Sequence, residues 1–448
     1  MKNLQISIFL LIILVIISLG YLLISKNKPP MENLVCKDCN IIVIGIDTLR
    51  ADHISSYGYF RTTTPYIDEF SHRSFVFKNA ISASSWTLPS FMSIFTSTYP
   101  SDHGIKNVRM KNEQGESVLV NLKQLNPGII TLAETLKQNN YQTAAFVGGG
   151  SLEGKFGFDN GFDVYKETGN FTGFELSIPD SLKWLSVQKN KKFFLFIHGY
   201  DVHGRYLTKK NYSGNFTDKN YNGVYTGQRE EEIRLANLSL EQGYVNLSEE
   251  DKEFWISLYD SKLYDADKRV GTFLSEIEKL GLLDNTIIIL LSDHGEELFE
   301  RNRIDHGFSL YDELIHVPLI IYVPHSKENN FIDGQVRTID VMPTIFELTD
   351  IKLNNSVQAQ IKGQSLVPFM QGKFINLDAF SETDYLYKVY KKSLRKASSW
   401  KYIYPIDTSE NELYHLKKDP KERNNLIEEE NRLDYELEQE LFNYMYKD

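Results

Sequence analysis

Asn40-Ile41-Ile42-Val43-Ile44-Gly45-Ile46-Asp47 is an unbroken apolar run, mostly β-branched, that ends on a carboxylate. A run without alternation suits a strand buried on both faces, because neither face then has room for polar side chains. The same signature recurs at Thr143–Val147, Lys192–Ile197, Thr286–Leu291 and Pro318–Val323. Helical stretches separate these runs, among them Thr131–Asn139 and Ser248–Leu280. In the second, Ser248 is placed as an N-cap, and Tyr259, Leu263, Val270, Phe273, Leu274 and Ile277 form an apolar stripe. Strands alternating with helices predict an α/β fold with a mostly parallel sheet covered on both sides. Such sheets carry their chemistry beyond the carboxyl ends of the strands.

Working outward, residues 204–244 are rich in Tyr, Asn, Gly and Lys with no period, and are expected to be a long surface insertion that can serve as a lid or binding loop. Its tyrosines, Tyr206, Tyr212, Tyr221 and Tyr225, are assigned to loop packing before sugar stacking. From about Gly372 the texture changes to short strands such as Lys401–Tyr404 and a closing acidic helix bearing Leu433, Leu437 and Leu441. This reads as a smaller C-terminal α+β subdomain, and the acidic tail as a solvated helix face. At the other end, Ile6–Ile24 spans 19 uncharged positions, about 28 Å as a helix and close to a bilayer core. No small-residue cleavage site precedes Lys26-Asn27-Lys28-Pro29-Pro30, so an uncleaved N-terminal transmembrane anchor is expected. The resulting division is anchor 1–25, linker 26–39, catalytic domain 40–371 and C-terminal subdomain 372–448. Lysines on both sides of the anchor leave orientation open. Six Asn-x-Ser/Thr sequons, at Asn170, Asn211, Asn215, Asn237, Asn246 and Asn354, suit an extracytoplasmic body at the cell membrane.

Composition excludes several classes. The chain has 448 residues with 60 acidic and 49 basic side chains, a formal charge of −11, which argues against a nucleic-acid partner. Two cysteines, Cys36 and Cys39, cannot staple a chain this long or build a four-cysteine zinc site. The pair precedes the first strand, where a redox motif would follow one, and a local disulfide or two idle thiols is the expectation.

The strand ends carry the candidate chemistry. The first run ends in Asp47, within Asp47-Thr48-Leu49-Arg50-Ala51-Asp52-His53. The third ends in His198, Asp201 and His203, and the fourth in Asp293, His294 and Glu296, with His306 shortly after. A carboxylate at one strand end is ordinarily a cap or turn former. Here, however, five of the ten histidines share these loops, which should open on one edge of the sheet. Asp and neutral His suit Mn²⁺, Zn²⁺ or Mg²⁺. In Ser84-Ser85-Trp86-Thr87-Leu88-Pro89-Ser90, Pro89 is predicted as the first helical residue, which would aim free backbone N–H groups at an anion beside Thr87. Beside a divalent metal such a hydroxyl can become a nucleophile.

Taken in order, these landmarks resemble the sulfatase family of the alkaline phosphatase superfamily over about residues 40–430. They run from Asp47–His53 through Trp86–Ser90, Tyr99-Pro100, His103-Gly104 and Gly157–Asp163 to the His198/Asp201/His203 loop. Ser292–Glu296, Asp340–Thr344, Leu413–Leu416 and Asp419-Pro420 follow. The resemblance implies a doubly wound α/β domain with a smaller C-terminal sheet, and one divalent cation held by Asp47, Thr87, Asp293 and His294. Mn²⁺ is favoured, with Ca²⁺, Mg²⁺ and Zn²⁺ not distinguished. It also implies Thr87 as nucleophile, His203 at the leaving group, His306 on the ester's anionic oxygens, and substrate contacts by His198 and Arg50, with His103 structural. The chain departs from the C/S-x-P-x-R pattern that is oxidised to formylglycine, reading Thr87-Leu88-Pro89-Ser90-Phe91, and the second carboxylate of the family's Asp-Asp pair is Thr48. Threonine cannot yield the aldehyde, so no formylglycine is expected. A threonine ester must be resolved by attack at its central atom, which phosphorus tolerates more readily than sulfur. The expectation is therefore phosphoryl transfer on an anionic ester of envelope lipid or glycan, such as a phosphodiester. The alternatives are a sulfuric ester hydrolase acting on a glycan, a two-metal nucleotide-type phosphodiesterase using Asp201, His203 and His306, and an inactive binding member.

Overall fold

The computed structural model describes residues 34–105, 108–111, 117–120, 124–188, 191–204, 206, 216–326, 330–385, 389–406, 408 and 410–446. The expected anchor lies outside these residues, and among the described ones no helix is long and apolar enough to cross a membrane. From Val35 onward the chain is one compact unit.

Eight strands form the main sheet. In chain order they are β1 (Asn40–Ile46), β2 (Phe75–Ile81), β3 (Gln142–Val147), β4 (Val164–Glu167), β5 (Phe193–Gly199), β6 (Thr286–Leu291), β7 (His316–Tyr322) and β8 (Asn330–Arg337). Their spatial order is β8-β2-β7-β6-β1-β5-β3-β4. Only β7 runs against its neighbours, pairing antiparallel with both β2 and β6. All seven residues of β1 are buried, and each fully buried Ile or Val there contributes about 1.5–3 kcal/mol. Strands β2, β4 and β8 go beyond the sequence reading. Lys78 and Asn79 interrupt the apolar run of β2, and β4 and the first half of β8 are partly exposed, so none looks like a strand buried on both faces.

Alternation along β1 sorts its two faces. Ile42, Ile44 and Ile46 join a large core with Tyr259, Leu263 and Val270 of the long helix Glu249–Lys279. Gly45 faces the other way, onto the helix Thr87–Thr96. A Cβ on Gly45 would stand 2.9 Å from the Phe91 ring, so glycine is what lets that helix approach the sheet. The expected caps are present: Thr131 forms a reciprocal box with Glu134, and the Ser248 side chain accepts from the Asp251 amide.

The insertion contains a helix that its sequence conceals, Arg229–Gln242. Leu235 is its one large buried apolar side chain, too little to show a period, and its start is fixed by Glu231, whose carboxylate accepts the amides of Thr226, Gly227 and Gln228. The helices used below are α1 (Thr87–Thr96), α2 (Phe174–Leu185), α3 (Arg229–Gln242) and α4 (Glu249–Lys279). In the C-terminal region, Ala379–Thr383, Lys391–Arg395, Trp400–Pro405 and Glu412–His415 form an antiparallel meander. The final helix, Asn431–Met445, buries Leu437 and Leu441 against Leu394, Tyr402 and Leu413.

Candidate active site

Register places the two carboxylates. Gly45 of β1 is level with Leu291 of β6, and the strands are parallel. Asp47 and Asp293 each follow two residues later, so they emerge side by side on one face, the face that meets α1. The chain turns immediately after Asp47, with Thr48 at φ +55°. The Tyr259 hydroxyl of α4 fixes that turn, donating to the Thr48 carbonyl at 2.8 Å and accepting the Arg50 amide at 3.0 Å.

Thr87 completes the floor. Helix α1 begins at Thr87 itself, after Trp86, so Pro89 is the third helical residue instead of the expected first. This start puts the hydroxyl on the first turn, where amides have no intrahelical partner. Thr87 Oγ1 lies 3.2 Å from His294 Nε2. His294 Nδ1 is 2.8 Å from the Gly295 carbonyl and therefore carries the proton, which leaves the Nε2 lone pair facing Thr87.

The ligand atoms of Asp47, Asp293 and His294 lie within 4.8 Å of one another, and all three residues are fully buried. Both Asp47 oxygens and Asp293 Oδ2 lack a hydrogen-bond partner. Burial pushes both carboxyls up, and Asp47's charge adds to the rise of Asp293. Burial holds His294 neutral, well below its usual range. Two adjacent buried carboxylates with orphaned oxygens, beside a neutral imidazole and a hydroxyl, fit a hard or borderline divalent cation.

Thr87 also opens onto a cavity of about 320 Å³, whose walls include Trp86, His203, Glu296, His306 and Tyr385. His306 sits 4.5 Å from His294 and 5.0 Å from His203, ring to ring. Its Nδ1 pairs with Glu296 Oε1 at 3.1 Å. Burial pulls its pKa down, but Glu296 and Asp305 outweigh burial and raise it to about 10, so His306 is a cation. Among the described lining residues none is Lys or Arg.

Several expected contacts fall elsewhere. Arg50 spends its guanidinium on Asp52 (2.9 and 2.7 Å), the Glu296 carbonyl (2.9 Å) and Glu300 (2.5 Å), behind the Gly295 turn and away from the cavity. His198 is wholly buried, packed on Phe91 and Tyr200, with Nε2 3.4 Å from Asp47 Oδ2. Burial keeps it neutral, near pKa 3. It supports the floor and does not line the cavity. Asp201 is turned onto the Phe174 amide at the start of α2 (2.7 Å) and onto Arg269 (3.0 Å), so the second-metal trio of Asp201, His203 and His306 is not assembled. His103 is structural, buried against Ser93 at 3.1 Å. Tyr385 and α3, both on the cavity wall, went unnoticed in the sequence. The one signal for Tyr385 is Gly307 (φ +85°), where a Cβ would stand 2.4 Å from the ring.

The family described as Sulfatase matches residues 39–351, and the C-terminal region of N-sulphoglucosamine sulphohydrolase matches residues 300–447. Delta 4,5-hexuronate-2-O-sulfatase of Bacteroides thetaiotaomicron is 23% identical over 422 residues, covering 87% of this chain and 85% of that protein. A solved protein in complex with its substrate D-glucosamine-2-N,6-O-disulfate superposes with a TM-score of 0.71 at 20% identity, covering 92% of this chain and 98% of that one. The phosphonate monoester hydrolase of Silicibacter pomeroyi reaches 0.70 at 15% identity, over 91% and 95%. These two likenesses show the fold.

Proposed function

Because this chain belongs to the sulfatase family, we propose that it is a metal-dependent hydrolase of a sulfate ester carried by a glycan, with Thr87 at the nucleophile position. The buried group of Asp47, Asp293 and His294 beneath the Thr87 hydroxyl carries this reading. A divalent cation held by Asp47, Thr87, Asp293 and His294 would supply Lewis acidity and lower the pKa of the hydroxyl. The Thr87 hydroxyl loses its proton to solvent, and Oγ1 attacks sulfur as the bond to the sugar oxygen breaks. His203 gives the departing oxygen its proton, and the His306 imidazolium holds a non-bridging oxygen. Water then attacks sulfur, giving one proton back to His203 and the other to Thr87 Oγ1 as the S–Oγ1 bond breaks, and sulfate leaves. Among the described residues of the wall, the His306 imidazolium offers a positive charge that suits an anionic ester.

The relatives favour sulfate over the phosphodiester reading. That second reading keeps one observation in its support, the Thr87/Phe91 departure from the formylglycine pattern. The full chain loaded with Mn²⁺ is to be assayed on p-nitrophenyl sulfate, a panel of sugar monosulfates and bis-p-nitrophenyl phosphate, each beside Thr87→Ala. Sulfate release lost in the variant supports the first reading, phosphodiester turnover alone replaces it with the second, and silence on all three removes both.

We also infer that Ile6–Ile24 tethers the catalytic unit to the cell membrane on its extracytoplasmic side. Support comes from the 19-residue uncharged run and from the Cys36–Cys39 disulfide, which suits an oxidising compartment. Protease digestion of intact cells is expected to release the unit; protection of the chain until lysis would refute the placement.

A further inference from the structure

His203 stands on the segment that follows β5, and two helices hold that segment. Lys262 of α4 donates from Nζ to the His203 carbonyl at 2.7 Å. Glu232 of α3 accepts the Tyr206 amide at 2.7 Å through Oε2. Its other oxygen lies against Gly204, where an added Cβ would stand 2.7 Å from Oε1. Both side chains are buried, at 4% and 6% exposure. They carry opposite charges, and Glu232 is the strongest of the charges that keep the Lys262 ammonium protonated against burial. The Tyr206 ring, itself buried, packs edge-on against Tyr259 of α4.

The same helix faces the cavity. Ile233, Ala236 and Asn237 line it beside Glu232, positions that share one side of α3. The surface that would meet the alcohol half of the ester and the segment that carries the proton donor are therefore joined through one carboxylate. We propose that Glu232 is the positioning residue through which the insertion helix sets His203 against the leaving group, so that the wall seating that group and the histidine serving it move as one unit. This rests on the sulfate-ester reading and on the role that reading gives His203. It assigns the insertion a task beyond that of a cover, which is to make proton delivery depend on what occupies the wall.

A leaving group that needs a proton feels the position of its donor, and one that departs as a stable anion does not. The test compares two esters in one preparation of the full Mn²⁺-loaded chain: p-nitrophenyl sulfate and the best sugar monosulfate of the panel. Glu232→Met keeps length and helix propensity but removes the acceptor; Glu232→Gln keeps an acceptor oxygen. The sugar-to-aryl ratio of kcat is the readout, because the folded fraction cancels from it. Glu232→Met is expected to lower the ratio by about tenfold or more, through kcat on the sugar ester, and Glu232→Gln to restore most of it. Loss by one factor on both esters, complete loss on both, or no change overturns the proposal. Wild-type protein that turns over neither ester removes the underlying reading first, and is distinguished by needing no variant.

Discussion

Asp47, Asp293 and His294 on the floor and Glu296, Asp305 and His306 on the wall have the same make-up, two carboxylates and a histidine within 4.8 Å. Their electrostatics are opposite. On the wall the histidine is the cation: Nδ1 faces Glu296 and Asp305, both at 3.1 Å, and the pair of charges is largely answered within the cluster. One oxygen, Glu296 Oε2, is left over. On the floor the histidine is neutral and three carboxylate oxygens are left over, so the charge there must be met from outside. Composition cannot tell a metal centre from a salt bridge; the count of unanswered buried oxygens can.

Thr87→Ala should break catalysis outright, with a loss of about 10³-fold or more in kcat and an unchanged melting temperature, since Oγ1 has no core to hold. Asp293→Asn should do nearly as much damage to turnover while removing the bound metal. In chelator-treated protein, however, it should raise stability by about 1–3 kcal/mol, because the amide is neutral without the proton that the buried carboxyl must take up. A melting curve at matched chelator decides this, and destabilisation of the metal-free form would mean that the floor is answered from within. Glu296→Gln is expected to lower turnover by about 10–100-fold through loss of the carboxylate that orients and charges His306. Metal content, read by plasma emission, should remain at one ion per chain; a fall from two to one would make the wall a second metal centre.

The pH effect is smaller and differs between the clusters. A carboxyl raised in the fold binds protons that the unfolded chain has released, so its burial costs stability as pH climbs above the ordinary value near 3.8. Chelated protein should therefore melt at progressively lower temperature from pH 5 to 8, while Mn²⁺-loaded protein stays level. The wall behaves in the other sense: His306, raised to about 10, contributes stability in full below 6.5 and loses it as pH rises through about 10, with or without metal. Least of all should follow from Asp52→Asn, under about 1 kcal/mol, since Asp52 is the exposed half of its pair and Arg50 keeps Glu300.

Much of the floor was legible in the chain itself. Asp47 and Asp293 end two of the most apolar strands, and a parallel sheet brings strand ends to one edge whatever the intervening sequence does. The wall was legible only as residue types. Arg50 shares a motif with Asp47 and His198 ends a strand as the ligands do, yet His198 turns into the core against Phe91 and Arg50 onto Asp52 and Glu300. A strand-end motif names the neighbourhood, and which way each side chain points depends also on partners outside the motif, Phe91 for His198 and Glu300 for Arg50. Phe91 and Thr48 are a related case. The family's arginine and second aspartate are absent together, a positive and a negative charge, and in their place stand a buried ring against His198 and a turn whose hydroxyl bonds its own backbone at 2.8 Å.

By itself the sequence determined the layered α/β sheet, the family and the residues that gather on the floor, because each depends on local pattern: burial on both faces, period and strand-end chemistry. Tertiary structure alone decided the rest. The start of α1 at Thr87, the commitment of Asp201 to α2, the arrival of Tyr385 from the C-terminal region and the tie from Glu232 to the segment behind His203 are contacts between distant stretches, and such contacts leave no period in either partner.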